Sequence, residues 1–198
     1  MRVVQLKDCR KCRRLTAQHK RLRDSHPDYW NLPVPASGPE NASVLIVGLA
    51  PGMHGANRTG QPFTGDASGN LLHATLESLG LTDRVRITNA VKCLPLKNQP
   101  SGQEVRNCAG FLRQELDQLI SAPGPVVLAL GGVAHRAVIA ALGLRQADYK
   151  FGHGAVHQLD QCTLVDSYHC SRYNTQTGRL TPSMFSSALT TVRDLAQS

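Results

Sequence analysis

The sequence predicts an α/β fold, a three-layer αβα sandwich around a central, mostly parallel sheet of about four strands. Short apolar runs rich in β-branched residues alternate with segments of helical periodicity. Such alternation is typical of parallel sheets covered by helices on both faces. The 198 residues show no internal repeat or low-complexity segment, and this length suits one well-packed domain. We therefore expect a single domain over residues 1–198.

The elements follow from the order of these segments along the chain. Residues 43–49 (SVLIVGL) form the first strand candidate, and a polar, glycine-rich stretch separates it from a helix over 71–79 that Gly80 ends. The last helix has Thr181 as its cap and Pro182 at its first position. The remaining strand candidates are 84–92, 125–130, 154–159 and 161–167, and the remaining helices are 104–120 and 133–142.

The charge balance favours a polyanionic partner without establishing one. The chain carries 22 Lys+Arg against 14 Asp+Glu, a net charge of +8, and such a surplus favours nucleic acids through counterion release. The early basic run over residues 10–23 also fits an ordinary solvated helix face. No apolar run approaches the roughly 18 residues that span a bilayer, and the basic start lacks the apolar core of a secretory signal. We therefore expect no membrane association and a cytoplasmic location.

Three strand candidates lead directly into unusual polar loops. These are residues 48–69 (GLAPGMHGANRTGQPFTGDASG), 89–100 (NAVKCLPLKNQP) and 168–182 (YHCSRYNTQTGRLTP). Sites in parallel sheets lie at the carboxyl ends of the strands. We expect the three loops to converge on one site there.

The cysteines suggest a metal centre. Cys9 and Cys12 form a C-x2-C pair, and Cys93 and Cys108 lie far downstream. This spacing occurs in zinc and in iron–sulfur sites, and spacing alone favours zinc. The surrounding Arg and Lys residues suit a cluster of thiolates with net negative charge. The other two cysteines are not expected to be ligands, because Cys162 alternates within a β-like run and Cys170 follows a candidate active-site histidine.

Taken together, the three loops and the cysteine set resemble the uracil-DNA glycosylase superfamily, in the branch called family 5 or type B. The resemblance runs from the first cysteines to the last helix, and the long segment 48–69 is its most specific part. It implies a [4Fe–4S] cluster on Cys9, Cys12, Cys93 and Cys108. It also implies an enzyme that removes uracil from DNA and leaves an abasic site.

The resemblance gives the first two loops a role in base binding. A glycosylase holds a flipped base by reading its edge and stacking on its face. Gly48 and Ala50 begin a glycine-rich backbone path that can approach a nucleotide closely. Phe63 is a stacking platform in this interpretation and a core aromatic in the alternative. Asn89 can pair bidentately with a pyrimidine edge, whereas a strand-end Asn more commonly caps a turn.

Three residues are candidates for catalysis. His169 follows a strand, where its N–H could donate to a base carbonyl as negative charge develops. The segment 48–52 has none of the polar side chains with which many superfamily members orient the attacking water, which is a mark of the type B branch. Asp66 fits that role chemically, although it could simply cap the next helix. Asn57 could orient water without accepting its proton, and the choice between the two stays open.

The last loop is expected to contact DNA. In the superfamily this region enters the minor groove, and here it offers phosphate donors, namely Arg172, Asn174, Thr175 and Arg179. Two positions depart from the usual pattern, since Cys170 stands where Pro is typical and Gln61 where Arg is frequent. The seven other histidines, at positions 19, 26, 54, 73, 135, 153 and 157, are expected in the core or on the surface.

These features predict a monofunctional hydrolase acting on the N-glycosidic bond of uracil in DNA, and of other deaminated bases such as hypoxanthine and xanthine. No lysine stands out as a Schiff-base nucleophile. We expect the protein to act as a monomer. The alternative is a nucleic-acid-binding protein that kept the fold and cluster but lost catalysis, although Asn89 and His169 are both present.

Overall fold

The computed structural model describes residues 5–197. Within this range the α-helices and strands are, in chain order, α1 (Arg13–Ser25), β1 (Val44–Gly48), α2 (Ala56–Thr59), α3 (Ala67–Ser78), β2 (Val85–Asn89), α4 (Gly102–Ile120), β3 (Val126–Leu130), α5 (Gly132–Ala141), β4 (Val156–Gln158), β5 (Thr163–Ser167), α6 (Arg172–Gln176) and α7 (Pro182–Leu195). Short 3-10 turns lie at Leu6–Asp8, Thr82–Arg84, Leu96–Asn98 and Gln146–Asp148.

One sheet forms the middle layer, with the strand order β2-β1-β3-β5-β4. The strands β2, β1, β3 and β5 are parallel, as the sequence predicts. The fifth strand, β4, lies within the strand candidate 154–159 and is an antiparallel edge strand, so the sheet has one strand more than the expected number of about four. Its direction follows from the short connection to β5, where the Leu159 amide donates to the Cys162 carbonyl at 3.0 Å, because a parallel pair needs a much longer crossover.

The side chains of the central strands alternate between two helical layers. On β1, Val44 and Ile46 belong to a buried cluster with Leu72 of α3 and Phe185 of α7. Leu45 and its alternate neighbour Val47 pack on the opposite face with residues of α4 and α5. Because successive strand residues point to opposite faces, a continuous apolar strand is buried on both sides. The predicted three-layer αβα sandwich is confirmed.

Two boundaries differ by three residues or more from those that the sequence predicts. The strand expected over 84–92 ends at Asn89, because the amides of Ala90 and Val91 donate to the carbonyls of the first loop, Gly48 at 2.9 Å and Leu49 at 3.0 Å. The helix expected from residue 71 begins at Ala67, since the Asp66 side chain caps it. Both differences lie where a strand or helix meets the polar loops.

The helices of the described residues are too short or too polar to cross a membrane.

A buried ion pair fixes the loop after β2. Lys92 is 1% exposed, and its ammonium donates to both carboxylate oxygens of Glu115 on α4, at 2.7 and 2.9 Å, and to Thr88 Oγ1 at 2.6 Å. With three acceptors the cation is fully paired, which compensates for its removal from water. The pair joins the residue before Cys93 to the helix that carries Cys108.

We predict that Lys92→Met destabilises the protein by about 3 kcal/mol, because it leaves the largely buried Glu115 carboxylate, 13% exposed, without its partner. The double variant Lys92→Met/Glu115→Leu should recover most of this loss. Urea denaturation measures both. The control is Arg145→Ala, whose partner Asp148 is exposed and whose loss should have no measurable effect. Equal stability of Lys92→Met and the control would contradict the prediction.

Candidate functional site

A cleft of about 600 Å³ opens where β1, β2, β3 and β5 end. Its walls include residues from each of the three polar loops, such as Ala50, Asn89 and His169, together with Gly131 and Gly132 after β3. The predicted convergence of the loops at the carboxyl edge of the sheet is confirmed. The glycine pair after β3 is a part of the wall that the sequence analysis did not assign to the site.

The close approach of Asn89 and Phe63 depends on Gly48. A Cβ placed on Gly48 would lie 2.5 Å from Asn89 Oδ1 and 2.5 Å from the Phe63 ring. Gly48 itself lies behind these side chains, whereas Ala50 lines the cleft. The Asn89 amide is buried and makes no hydrogen bond to the described residues. A donor and an acceptor are thus both available to a ligand.

Phe63 forms the apolar wall of the cleft and also packs in the core. It is 6% exposed, belongs to the cluster between the sheet and α3, and lines the cleft. Its backbone has a φ of 53°, which is rare for a bulky residue and marks a position held by its surroundings. The ring stacks on His169 with centroids 5.8 Å apart and an interplanar angle of 26°. Phe63 is thus a core aromatic whose ring also lines the cleft, and its role as a stacking platform stays a prediction.

His169 lies beside Phe63 with its Nδ1 buried and without a hydrogen-bond partner. Burial lowers the pKa of His169, and the nearby negative charge of Asp66 opposes this in part. The ring is therefore neutral near pH 7 and carries one N–H donor. A neutral donor of this kind suits a ligand oxygen on which negative charge develops.

The loop that carries His169 is held from two sides. Asn174 Nδ2 donates to the His169 carbonyl at 2.8 Å. The Tyr168 amide donates to His153 Nδ1 at 3.1 Å, and the His153 and Tyr168 rings stack at 5.0 Å. Burial lowers the pKa of His153, which keeps this nitrogen free to accept. The sequence analysis gave His153 no role, and a single histidine in a loop carries no signal that would reveal one.

Asp66 divides its two carboxylate oxygens between the fold and the cleft. Oδ1 accepts from the Gly69 amide at 2.8 Å and caps α3. Oδ2 faces Gly52 and Gly55, and a Cβ on Gly55 would overlap it. Asp66 also lines the cleft, and its charge reaches His169. The capping role and the position in the site, proposed from the sequence as alternatives, occur together.

Asn57 lies away from the cleft, in a buried amide network. It is 0% exposed, and its Nδ2 donates to Asn31 Oδ1 at 2.9 Å. Asn31 in turn donates to the His26 carbonyl at 2.8 Å. Asn57 is not among the residues that line the cleft. Of the two residues suggested for orienting water, the structure brings only Asp66 to the site.

The four predicted DNA contacts divide into two kinds. Arg172 and Arg179 are exposed, and Arg179 stacks on the Tyr168 ring at 4.7 Å. The side chains of Asn174 and Thr175 instead hydrogen-bond within the protein, Thr175 to carbonyls of its own helical turn. The two arginines remain available to phosphates.

The two positions that depart from the usual pattern differ in exposure. Gln61 is exposed, whereas the Cys170 thiol donates weakly to the Ser68 carbonyl at 3.5 Å.

The four cysteines singled out from the sequence line one pocket beside α1, whereas Cys162 and Cys170 lie elsewhere. Burial raises the pKa of Cys93, and the charges of the other three thiols raise it further. Asn107 Nδ2 donates to Cys12 Sγ at 3.3 Å. The same pocket contains His19, whose pKa burial lowers to about 4. The proximity of four thiols is typical of a metal centre.

The four cysteine sulfurs are more widely spaced than the ligands of one zinc ion. Four sulfurs on one zinc ion lie about 3.8 Å apart, because each Zn–S bond of the tetrahedron is about 2.3 Å. Among the described residues, the group with three ligand atoms all within 4.8 Å of one another is His135, His157 and Asp166, and not the cysteines. The cysteine pocket is therefore more open than a single-ion site.

The group of His135, His157 and Asp166 is a hydrogen-bonded network. Asp166 is 0% exposed and its carboxylate contacts His135 Nδ1 at 2.9 Å and His157 Nε2 at 3.2 Å. His135 Nε2 faces the Tyr149 carbonyl at 2.9 Å. Both nitrogens of His135 thus have an oxygen partner within the protein. The network ties α5 and β4 to the strand that leads to His169.

We predict that Gly48→Ala disables the site without unfolding the protein. The new Cβ would collide with the Asn89 amide and the Phe63 ring, which must move out of position. We expect loss of detectable binding of uracil, measured by calorimetry, with circular dichroism unchanged. The control is Gly110→Ala on α4, where a Cβ meets nothing within 4 Å. Normal binding by Gly48→Ala would show that this contact does not define the site.

Comparison with known proteins agrees with this geometry. Residues 35–193 match the family described as the Uracil DNA glycosylase superfamily. The chain is 43% identical to a type-5 uracil-DNA glycosylase of Thermus thermophilus, over 98% of this chain and 96% of that protein. It is 42% identical to a type-5 uracil-DNA glycosylase of Pyrobaculum aerophilum, over 90% of this chain and 85% of that protein.

Structural similarity supports the same fold. The crystal structure of SMUG2 from Pedobacter heparinus matches with a TM-score of 0.51 and 14% identity, covering 78% of this chain and 77% of that one. At this identity the likeness speaks for the fold alone. The sequence matches and the fold together show that this chain belongs to the uracil DNA glycosylase superfamily, in its type-5 branch.

Proposed function

We propose that this protein hydrolyses the N-glycosidic bond of uracil in DNA, releasing the base and leaving an abasic site. The observation that carries the proposal is the convergence of four side chains on one cleft, namely Asn89, Phe63, His169 and Asp66. Asn89 offers an amide that can read the edge of a base, and Phe63 offers a ring on which the base can stack. His169 offers an N–H donor, and Asp66 offers a carboxylate. These are the parts that base excision by water requires.

Recognition of the base is assigned to Asn89 and Phe63. The Asn89 amide offers one donor and one acceptor, which match the O4 and N3–H edge of uracil. Because the amide has no partner among the described residues, binding uracil breaks no internal hydrogen bond. Phe63 presents an aromatic face beside it, on which a flipped base can stack. Gly48 fixes the relation between the two by its lack of a side chain.

Stabilisation of the departing base is assigned to His169. As the glycosidic bond breaks, negative charge develops on the carbonyl oxygens of uracil. The neutral imidazole donates its N–H to such an oxygen, an interaction that strengthens as the charge grows. The Phe63 stack and the Asn174 bond to the His169 carbonyl hold the ring in place, so little rearrangement is needed.

Activation of water is assigned to Asp66. Its Oδ2 faces the cleft while Oδ1 is held by the cap of α3. A carboxylate there can orient a water molecule, accept its proton and favour the positive charge on the sugar. Asn57 is the weaker candidate, because it is buried outside the lining of the cleft and its Nδ2 donates to Asn31.

We also propose hypoxanthine and xanthine as substrates, since the cleft of about 600 Å³ has room for a purine. Arg172 and Arg179 would contact phosphates beside the flipped nucleotide. The net charge of +8 favours DNA as the partner.

We further propose that residues 1–198 act as one domain, as a monomer in the cytoplasm.

We propose that Cys9, Cys12, Cys93 and Cys108 hold a [4Fe–4S] cluster. Three features of the pocket fit this group. The four thiols face one pocket, their sulfurs are spaced more widely than one zinc ion requires, and a buried nitrogen of His19 there has no partner. The cluster would supply a structural link between the N-terminal segment, the loop after β2 and α4. The glycosylase chemistry is assigned to the cleft residues alone.

We predict that His169→Ala lowers the single-turnover rate on uracil-containing duplex by about 100- to 1000-fold, with DNA affinity nearly unchanged. The donor acts chiefly in the transition state, so its loss affects rate more than binding. Asn89→Ala should lose more activity on uracil than on hypoxanthine, because it reads the base edge. His73→Ala, an exposed change on α3, is the control.

Two outcomes would contradict this assignment. A near-normal rate for His169→Ala would move catalysis to Asp66 or to backbone amides. A wild-type protein that binds uracil-containing DNA without releasing the base would instead be the non-catalytic binding protein considered as the alternative.

We predict that Asp66→Asn lowers the single-turnover rate by about 100-fold or more while keeping the thermal stability, since Asn is also a good helix cap. Asn57→Ala should lower the melting temperature through loss of the Asn31 contact and leave the rate near that of the wild type. Rate and melting temperature are measured on the same preparations. The reverse pattern would assign water activation to Asn57.

We predict that Cys12→Ala yields colourless, poorly soluble protein without iron, because cluster binding is coupled to folding. Cys162→Ala should keep full iron and sulfide content, measured by colorimetric assay. Full iron in Cys12→Ala together with its loss in Cys162→Ala would refute the ligand assignment.

A further inference from the structure

His19 is a buried histidine of α1 that the catalytic cleft does not use. It is 4% exposed, it lines the pocket of the four cysteines, and its Nε2 has no hydrogen-bond partner. Buried polar groups in folded proteins are almost always paired. An unpaired nitrogen in a pocket of thiols therefore points to a ligand that supplies the missing partner.

The position of His19 on the helix places it over the same pocket as Cys12. Cys12 is at the N-cap position of α1, and Thr16, His19 and Arg23 follow on one face of the helix and line the pocket with it. Helical side chains lean toward the N-terminus, so the His19 ring is directed back toward the C-x2-C pair. The charge of Arg10, which lies between the two cysteines, acts on His19, in agreement with this direction.

A sulfur atom is the partner that the pocket offers. Asn107 already donates from Nδ2 to Cys12 Sγ at 3.3 Å. The positive charges of Arg10 and Arg23 near His19 add donors rather than acceptors. The thiolates of the four cysteines, and the sulfides of a cluster that they would hold, are acceptors in the same pocket as His19.

We propose that His19 Nε2–H donates a hydrogen bond to a sulfur of the iron–sulfur cluster and thereby sets its reduction potential and its retention of iron. This inference rests on the cluster assigned under the proposed function. Hydrogen bonds to the sulfurs are among the factors that set cluster potentials. An N–H···S bond withdraws electron density, so it favours the reduced cluster, which carries one more negative charge. Loss of the bond therefore makes the potential more negative.

The test compares His19→Leu with His19→Gln in the purified, cluster-containing protein. Leucine fills the space without a donor, whereas the glutamine amide can place an N–H near the position of Nε2. The control is His73→Leu, an exposed substitution on α3 outside the pocket. The measurements are iron and sulfide content, the reduction potential from a mediated titration followed by electron paramagnetic resonance, and the rate of iron loss to a chelator.

We expect all three variants to load the cluster and keep the wild-type circular dichroism. His19→Leu should have a more negative potential and lose iron about 10-fold faster, the lower end of the effect of removing a partner of a metal ligand. His19→Gln should restore both toward wild type, and His73→Leu should change neither.

Three outcomes would overturn the inference. If His19→Leu keeps the wild-type potential and iron retention, His19 makes no hydrogen bond to a sulfur of the cluster. An equally lowered potential and equally fast iron loss in His19→Leu and His19→Gln would indicate that His19 acts through packing alone. Variants that bind no iron would indicate that His19 is a ligand of the cluster rather than a hydrogen-bond donor to it. A wild-type protein without iron removes the cluster proposal as well, while its glycosylase rate, assayed separately, tests the proposed activity independently.

Discussion

The cleft depends on how closely the end of β1 approaches the end of β2. Gly48 pairs in register with Asn89, and only a residue without a side chain leaves room there for both the Asn89 amide and the Phe63 ring. Gly55, which also lacks a side chain, leaves room for the carboxylate of Asp66. Two glycines of one loop thus set the positions of three side chains. The glycine content of residues 48–69 is therefore a steric requirement of the site.

The cleft and the cysteine pocket share a wall. Ala50 lines the cleft and also packs with Cys12 and Cys93 in a small apolar cluster. The buried pair of Lys92 and Glu115 fixes the loop that runs between them. A structural cluster in the cysteine pocket would therefore support the back of the loop whose front lines the cleft. This arrangement gives the N-terminal segment a reason to be part of a catalytic domain.

The sequence predicts the parts of the site that depend on strand order, because parallel strands end at one edge of the sheet. The loop convergence and the three-layer fold follow from this rule. The role of Asn57 could not be predicted, since its partner Asn31 lies 26 residues away and only the folded chain shows the contact. The hydrogen bond from Asn174 to the His169 carbonyl could not be predicted either, because Asn174 is one of many polar residues in its loop. For Asp66 the sequence offered two alternatives, and the structure shows one oxygen in the helix cap and the other facing the cleft.

The shared use of Asp66 has a consequence for the evolution of the site. With Oδ1 anchored to the Gly69 amide, the carboxylate cannot rotate freely, and Oδ2 is presented in one orientation before any substrate arrives. The helix cap therefore lowers the reorganisation energy of the site. It also links two selective pressures on one position, because a longer glutamate side chain would shift the free oxygen as well as the cap.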